Sequence, residues 1–273
     1  MCLRVCSIKV YSFMQSNLIT NIILAEIQMI EADIVYGYLK GDLDRVQQPI
    51  MAHPPNTESD ISLRSFLTQI LDVNTKNDKT KQKGVKLDFK STDVYQNSLP
   101  LLTELWDSMT YPVWINADIY SGPLENVVTN PVDAKIFFEG AKQLTNATLS
   151  TGWTTRWGSN FTTGEYTMGQ VNEMISGIKT NEVKNPITFP VRAGIAAQSI
   201  DQLDHLYKSL NDTNHVTFTI WSSDMDSVNV EDLKKMIFHF GIDKVYVDVP
   251  DDLSSKLRLD VNAGSAIKPS VMF

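Results

Sequence analysis

Residues 29–37 read MIEADIVYG, an apolar run containing Ile and Val that also carries two carboxylates, Glu31 and Asp33. Side chains two positions apart on a strand point to the same face, so both acids share one face of this predicted strand. A lone histidine, His53, follows in the stretch PIMAHPP (49–55). On this strand alone, Glu-x-Asp most often marks a solvated face. The residues further along the chain must therefore show whether this face is solvated or belongs to a functional site.

The composition is that of a globular protein. The chain has 273 residues, of which 42% are apolar and 9% aromatic, and it contains no low-complexity tract. Its formal net charge of -8 argues against a general nucleic-acid surface, because phosphate binding requires clustered Lys and Arg. The one basic run, KNDKTKQKGVK (76–86), contains no aromatic residue and is interpreted as a solvated loop. We therefore expect no nucleic-acid partner.

The start of the chain is a poor signal peptide, and no segment predicts a membrane span. Arg4, Lys9 and a polar QSN triplet interrupt the first apolar residues. No apolar run approaches the roughly 18 residues that a spanning helix needs. Cys2 and Cys6 are too few for a disulfide framework or a cysteine zinc site. The cysteines therefore leave the redox compartment open.

Strand-like and helix-like segments alternate along the chain. Runs rich in Val, Ile, Thr and aromatic residues predict strands at 29–37, 84–91, 112–122, 147–154, 187–194, 216–223 and 244–250. Apolar residues three and four apart predict helices at 59–73, 132–144, 168–180, 199–210 and 229–241. This alternation indicates parallel strands joined by crossover helices. With residues 4–13 as an atypical first strand, the pattern predicts a (β/α)8 TIM barrel that spans 1–273 as a single domain.

Polar residues lie toward the carboxyl ends of three successive predicted strands. Lys86, Asp88 and Lys90 share one face of their strand, and Asn116 and Asp118 share one face of the next. In a barrel, the carboxyl ends of the strands are where catalytic residues lie. We therefore expect these side chains to converge with the Glu-x-Asp pair on one mouth.

A divalent cation would relieve the repulsion among the carboxylates. Closely spaced carboxylates cannot all ionise unless a positive charge lies among them. Glu31, Asp33 and Asp88, with Asp118 as a further candidate, offer hard oxygen ligands suited to Mg²⁺ or Ca²⁺. The neighbouring lysines and the cation could together hold an anionic group such as a phosphate.

The other candidates each have a structural alternative. His53 is an ordinary turn histidine by itself, but beside an acidic cluster it is an acid/base candidate. Trp153 and Trp221 are more typical of packing at the barrel rim than of ligand stacking. Arg192 suits a bound anion or a structural ion pair equally well. The side chains predicted to contact a ligand are Lys86, Lys90, Asn116, Asp118, Trp153, Arg192 and Trp221.

At these residues the sequence resembles the menorin family. The segments that carry the resemblance are MIEADIVYG, PIMAHPP, KGVKLDFKS, PVWINADIYSGP and ATLSTGWTT. The family is related to (β/α)8 phosphodiesterases of the phospholipase C type, which include glycerophosphodiester phosphodiesterases and spider-venom sphingomyelinase D. In those enzymes a Glu-x-Asp pair and a later Asp hold a divalent metal, and two histidines act as acid and base. The resemblance implies that Glu31, Asp33 and Asp88 are metal ligands, that His53 is the second histidine and that Lys90 contacts phosphate.

One departure concerns the first histidine. In the family, the first strand usually ends in a His-Ala-Val-Asn-Ser block, whereas the corresponding region here reads VYSFMQSNL (10–18), with Ser12 near the histidine position. Serine cannot replace imidazole as a proton acceptor near neutral pH. Either two-histidine catalysis is lost, or the N-terminus belongs to a truncated gene model. The poor signal peptide favours the second explanation.

Two functions follow from the resemblance. The first is a secreted or cell-surface-associated factor that binds extracellular or cell-surface proteins in dendrite patterning, keeps a partial metal site and lies in the extracellular space. The alternative is a metal-dependent phosphodiesterase that acts on a glycerophosphodiester or phospholipid-type substrate. The missing histidine favours the first function.

Overall fold

Strands and helices alternate through most of the chain. The computed structural model describes residues 8–10, 29–124 and 130–259. The strands are β1 Ile8–Val10, β2 Met29–Leu39, β3 Gln48–Met51, β4 Glu58–Ser59, β5 Gly84–Phe89, β6 Val113–Ser121, β7 Thr148–Thr154, β8 Ile187–Arg192, β9 Thr217–Trp221 and β10 Val245–Asp248. The helices are α1 Leu63–Asn74, α2 Thr92–Leu105, α3 Ala134–Ala141, α4 Met168–Thr180, α5 Ala193–Ala196, α6 Ile200–Asn214, α7 Val230–Phe240 and α8 Asp251–Leu257. None of the helices in these ranges has the length and hydropathy that crossing a bilayer requires.

The strands form one mixed, mostly parallel sheet. Eight of them follow the order β1-β2-β5-β6-β7-β8-β9-β10, and each neighbouring pair on this path is parallel. Two short strands branch from β2: β3 pairs with it antiparallel and β4 pairs with it parallel. The long β2 strand therefore carries a hairpin that the alternating pattern did not predict.

The sheet is an open, curled half-barrel, so the predicted (β/α)8 TIM barrel is wrong. Within the described residues no hydrogen-bonded ladder joins the edge strands β1 and β10, although the curl brings them near each other. A closed barrel requires that last-to-first pairing at a common stagger. Alternation of strands and helices predicts parallel neighbours, but it cannot predict closure, because closure depends on pairing between the two ends of the chain.

The predictions of individual strands and helices agree with the structure better than the prediction of a closed barrel does. All seven predicted strands and all five predicted helices are present. Of the three residues that the sequence places at expected N-cap positions, Asp133 and Asn229 cap helices α3 and α7, whereas α1 is capped by Ser62 rather than by the expected Asp60. Helix α2 was not predicted, and it contains Pro100, a residue that ordinarily breaks helices. Of the predicted first strand at 4–13, the structure describes Ile8–Val10 as β1, and the other residues lie outside the described ranges.

The two faces of the sheet carry different side chains. Toward the helices, alternate residues such as Ile30, Leu87 and Phe189 are buried in one hydrophobic core. On the inner face, Met29 and Trp114 form a separate apolar cluster with Tyr246 packed against it. Two residues further along each strand, the inner face becomes polar. This apolar cluster is therefore the floor beneath the polar residues at the carboxyl ends.

Candidate functional site

A cavity of about 640 Å³ opens at the carboxyl ends of the strands. Most of the sequence-predicted site residues line it, and they come from β2, β5, β6 and β9 and from the segments that follow β3 and β5. These residues are Glu31, Asp33, His53, Lys86, Asp88, Lys90, Asn116, Asp118 and Trp221. Trp153 and Arg192, which were also predicted to contact a ligand, do not line the cavity.

Strand register brings the polar side chains together. Asp33 on β2 lies opposite Asp88 on β5, and Asp88 lies opposite Asn116 on β6. One step deeper, Glu31 lies opposite Lys86. Because the strands are parallel and in register, residues of equal height on the inner face become neighbours across the sheet. Two short rows of polar residues result from this pairing.

The β2–β3 hairpin returns His53 to the carboxylates. Strand β3 runs antiparallel to β2, with Ile34 opposite Met51. The amide N–H of Ala52 then donates to the carbonyl oxygen of Asp33 over 3.1 Å. His53, the next residue, is therefore held beside β2 at the height of the acidic residues. His53 and Asp33 are twenty residues apart in the sequence, so the sequence alone does not show that they are close in space.

Two lysines pair with three carboxylates on the cavity wall. Lys86 Nζ lies 2.9 Å from Glu31 Oε1. Lys90 Nζ lies 2.7 Å from Asp33 Oδ1 and 2.5 Å from Asp88 Oδ2. The first pair is almost fully buried, whereas 24% of the Lys90 side chain is exposed. The site therefore contains one enclosed ion pair and one ammonium shared between two acids.

A hydrogen-bond chain orients Asp88. The hydroxyl of Ser150 on β7 donates to Asn116 Oδ1 over 2.5 Å. With its oxygen occupied in this way, the Asn116 side chain donates a hydrogen bond to Asp88. Inner-face residues of three neighbouring strands thus fix one carboxylate before any ligand binds. Such support is what a preorganised site requires.

The three carboxylates fit a hard divalent cation. Glu31, Asp33 and Asp88 each offer one oxygen, and these oxygens lie within 4.8 Å of one another. Among the described residues, Glu31 Oε2 and Asp33 Oδ2 are buried without a hydrogen-bond partner. Both residues are at least nine-tenths buried, at 5% and 3% exposure. Buried carboxylate oxygens are normally paired or metal-bound, so the donor set suits Mg²⁺ or Ca²⁺.

The environment separates the pKa values of the acids. Burial raises the pKa of Glu31 to about 7, against the opposing effect of Lys86. Burial acts to raise the pKa of Asp88, but the positive charges of Lys90 and Lys86 outweigh burial and hold this pKa below its ordinary value. Burial acts downward on both lysines, yet the adjacent carboxylates raise the pKa of each above its ordinary value. The lysines therefore remain charged at neutral pH.

Two further carboxyl groups line the cavity, Asp118 on β6 and Asp248 on β10. No lysine or arginine in the described residues lies within salt-bridge distance of Asp118 or Asp248. Burial, reinforced by the nearby Asp88, raises the pKa of Asp118 to about 7. Burial raises the pKa of Asp248 to about 6, although the positive charge of Lys86 acts to lower it. Among the described residues, the cavity wall thus holds ion-paired acids on β2 and β5 and acids without an ion pair on β6 and β10.

Gly152 on β7 makes room for the Asp118 carboxylate. The two residues are register partners across β6 and β7. A Cβ atom at position 152 would lie 2.3 Å from Asp118 Oδ1 and 2.9 Å from Pro190 Cγ. Real Cβ atoms do not approach so closely, so any larger residue would push the carboxylate away. The glycine thus allows Asp118 to lean across the neighbouring strand.

The contacts of Trp153 and Arg192 are with other side chains of the protein rather than with the cavity. Trp153 lies on the helix-facing side of β7, where it is 1% exposed and its ring packs 5.0 Å from Tyr166. The Arg192 guanidinium makes two hydrogen bonds of 2.8 Å to the Asp226 carboxylate and lies 4.7 Å from the centre of the Trp221 ring. Arg192 therefore supports the cavity wall through Trp221, and its charge is already balanced by Asp226.

Sequence reasoning missed part of the cavity. The unpredicted lining residues are Pro190, Ser222, Ser223, Asp224, Asp248, Val249 and Pro250. Asp248 had a usable signal, because it is a polar residue near the end of the predicted strand at 244–250. Applying the same criterion to the last strand as to the earlier ones would have identified it. The loop residues Ser223 and Asp224 follow β9 and carry no comparable periodicity.

The predicted loss of the first histidine falls outside the described residues. Ser12 and the rest of the segment 11–28 belong to the range that the structure does not describe. Among the described residues, His53 is the one histidine that lines the cavity. His205 and His239 instead contact Asn172 and Asp204 near the surface.

Comparison with known proteins agrees with the sequence resemblance. The family model described as the Menorin N-terminal domain matches residues 8–254. Protein FAM151B from Homo sapiens is 40% identical over 222 residues, which cover 81% of this chain and 74% of the human protein. The family model spans the strands that build the cavity, and the two matches together confirm the predicted relationship: the chain belongs to the menorin family.

Proposed function

We propose that the cavity binds a divalent cation together with a phosphodiester-type anion, and that the protein is a metal-dependent phosphodiesterase for a glycerophosphodiester or phospholipid-type substrate. The observation that carries this proposal is a pair of buried carboxylate oxygens, Glu31 Oε2 and Asp33 Oδ2, which lie beside Asp88 and have no hydrogen-bond partner among the described residues. A protein seldom leaves such oxygens unsatisfied unless a ligand satisfies them.

Glu31, Asp33 and Asp88 would hold the cation. All three lie on paired strands rather than on loops, which limits their movement. When bound there, Mg²⁺ or Ca²⁺ would stabilise negative charge that develops on a phosphoryl oxygen. Asn116 and Ser150 keep Asp88 in its orientation through the hydrogen-bond chain described above.

Lys90 is the better placed of the two lysines to contact the anion. Its side chain is partly exposed to the cavity, whereas the Lys86 side chain is 6% exposed and is paired with Glu31. An ammonium group is a compact donor that binds phosphate as a point charge. Lys86 would instead contribute through its field, which partly offsets the charge of the surrounding acids.

His53 is the candidate proton acceptor. Its Nδ1 lies 2.7 Å from the carbonyl oxygen of Pro54, and a carbonyl oxygen can only accept a hydrogen bond. In the neutral ring Nδ1 therefore carries the proton, and Nε2 is the basic nitrogen. From Nε2, His53 would take the proton of an attacking water or hydroxyl as its oxygen bonds to phosphorus, while the ester bond from phosphorus to the leaving alcohol breaks and the departing oxygen takes up a proton from solvent.

A second candidate function is non-catalytic binding. His53 is the one imidazole that lines the cavity among the described residues, whereas the related phosphodiesterases use two. This observation favours a non-catalytic protein that keeps the cation site, and the family resemblance adds that it would be secreted or cell-surface-associated and would bind extracellular or cell-surface partners. In that case the cavity would bind an anion without turnover.

A thermal-shift experiment tests the cation site. We expect Mg²⁺ or Ca²⁺ to raise the melting temperature of the wild-type protein and to have no effect on Asp33→Asn, because that variant loses a negative charge and an unpartnered oxygen. Glu139→Gln is the matched control, since it removes an exposed acid on α3. An unresponsive wild-type protein would refute the cation site.

A hydrolysis assay separates the two functions. We expect cation-dependent release of p-nitrophenol from bis(p-nitrophenyl) phosphate, and of glycerol phosphate from glycerophosphodiesters. His53→Gln should abolish the activity, whereas His205→Gln, which alters a surface histidine, should retain it. Cation binding without turnover across the panel would favour the binding function. Full activity of His53→Gln would exclude His53 as the proton acceptor.

A further inference from the structure

Lys90 occupies two of the carboxylates that the cation would use. Its Nζ contacts both Asp33 Oδ1 and Asp88 Oδ2, so a single ammonium bridges acids on neighbouring strands. The third acid of the cluster, Glu31, has its own partner in Lys86. The shared ammonium balances the repulsion between the two carboxylates.

We propose that Lys90 is an internal counter-cation that competes with the divalent cation for Asp33 and Asp88, and that cation binding releases its ammonium toward the anionic ligand. This inference rests on the proposed cation site. It adds an order of events to that site: the cation first displaces the lysine, and the displaced lysine then contacts the anion.

The surroundings of Lys90 allow its head group to move while its backbone stays fixed. Lys90 follows the end of β5, and its amide N–H donates to the carbonyl oxygen of Ile34 over 3.1 Å. The side chain is 24% exposed and lines the open cavity. A four-carbon stem with rotatable bonds can therefore carry the ammonium from the acids to another position in the cavity.

Lys86 offers the contrasting case. Its side chain is 6% exposed, and it lies on the strand at the level of Glu31, close above the apolar floor. Moving that ammonium would leave a buried charge without its partner, which is strongly unfavourable. Of the two lysines, Lys90 is the one that can exchange its carboxylates for a ligand.

Calorimetric titration of the cation alone tests the competition. We expect Lys90→Met to bind Ca²⁺ or Mg²⁺ about tenfold more tightly than the wild-type protein, because the variant has no ammonium to displace. Lys86→Met, which removes the other cavity lysine, should gain clearly less. Lys256→Met on α8 removes an exposed charge and should bind like the wild type. Circular dichroism would verify folding, and Lys90→Gln provides a second uncharged variant.

Three results would overturn the inference. Unchanged affinity in both Lys90 variants would show that the cation uses other oxygens and leaves the ammonium in place. Equal gains in Lys90→Met and Lys86→Met would show a general effect of cavity charge. Failure of the wild type and every variant to bind a cation would refute the cation site itself, which distinguishes this failure from the first two.

The release of Lys90 has its own readout. Dimethyl phosphate serves as a non-hydrolysed phosphodiester probe, and its affinity is measured with and without saturating Mg²⁺. In the wild type we expect Mg²⁺ to tighten probe binding through both the cation and the freed lysine. The tightening should be smaller in Lys90→Met. An equal gain in the two proteins would contradict the release of the ammonium toward the anion.

Discussion

The two faces of the half-barrel sheet are built from the same strands but have opposite chemistry. On β5, Val85, Leu87 and Phe89 face the helices and are at most 1% exposed. Between them, Lys86 and Asp88 face the cavity. The helix-facing side is a continuous apolar core, whereas the cavity-facing side carries charges above a small apolar floor.

This contrast shows how a strand can serve stability and a site at once. Alternate residues point to opposite faces, so each face can vary without changing the other. The helix-facing residues should control the free energy of unfolding. The cavity-facing residues should control ligand binding and the pH dependence of stability. Three changes, taken from the largest expected effect to the smallest, test this division.

The first change is in the apolar core. Phe218 on β9 is fully buried, and its ring lies 4.5 Å from that of Phe240. Phe218→Ala should lower the free energy of unfolding by about 3–5 kcal/mol, because it removes buried surface and leaves a cavity. Urea denaturation measures the loss, and Phe218→Leu should lose less. The cation-induced thermal shift should persist; its disappearance would show that the two faces are coupled.

The second change breaks the enclosed ion pair. Lys86→Met should destabilise the protein by about 1–3 kcal/mol at pH 7, since the buried Glu31 carboxyl then loses its cation and must either carry an unpaired charge or take up a proton. The double variant Lys86→Met/Glu31→Gln should recover most of that loss, because no uncompensated charge remains. Urea denaturation of the three proteins checks this expectation. A double variant no more stable than Lys86→Met would indicate that packing, rather than charge, is responsible.

The third change concerns pH. Burial raises the pKa of Asp118 from its ordinary 3.8 to about 7, so the folded state binds this proton more tightly than the unfolded state does. The resulting stabilisation is fully present below about pH 4 and is lost as the pH rises through 7. Asp118→Asn should therefore become more stable relative to the wild type between pH 5 and pH 8.

Urea denaturation at several pH values measures this difference. Glu139→Gln on exposed α3 is the control, and its stability should parallel that of the wild type across the range. If the stability of Asp118→Asn also runs parallel to that of the wild type, the Asp118 carboxyl does not retain its proton in the folded state.

Much of the site could be predicted from strand parity. Three predicted strands each carry two polar residues that are two positions apart, and all six of these residues line the cavity: Glu31, Asp33, Lys86, Asp88, Asn116 and Asp118. The same parity explains why Trp153 does not line it, since Ser150 and Gly152 occupy the inner face of β7. Trp153 was assigned to the rim from its place near a strand end, without regard to the face on which it lies.

Other features could not be predicted because they depend on distant partners. Arg192 is paired with Asp226, which lies in the loop after the following strand. Asp224 lines the cavity from the loop that follows β9, a segment without periodicity. The open edge of the sheet likewise depends on strands from the two ends of the chain. No local pattern contains these relationships.

The sequence by itself determined the strands, most of the helices and the set of polar residues on one face, because periodicity and capping act within a few residues. Only the tertiary structure decided that the sheet stays open, that the β2–β3 hairpin returns His53 to Asp33, and that Lys90 is shared between Asp33 and Asp88. These features depend on register and on distances between segments far apart in the chain, which residue spacing alone does not specify.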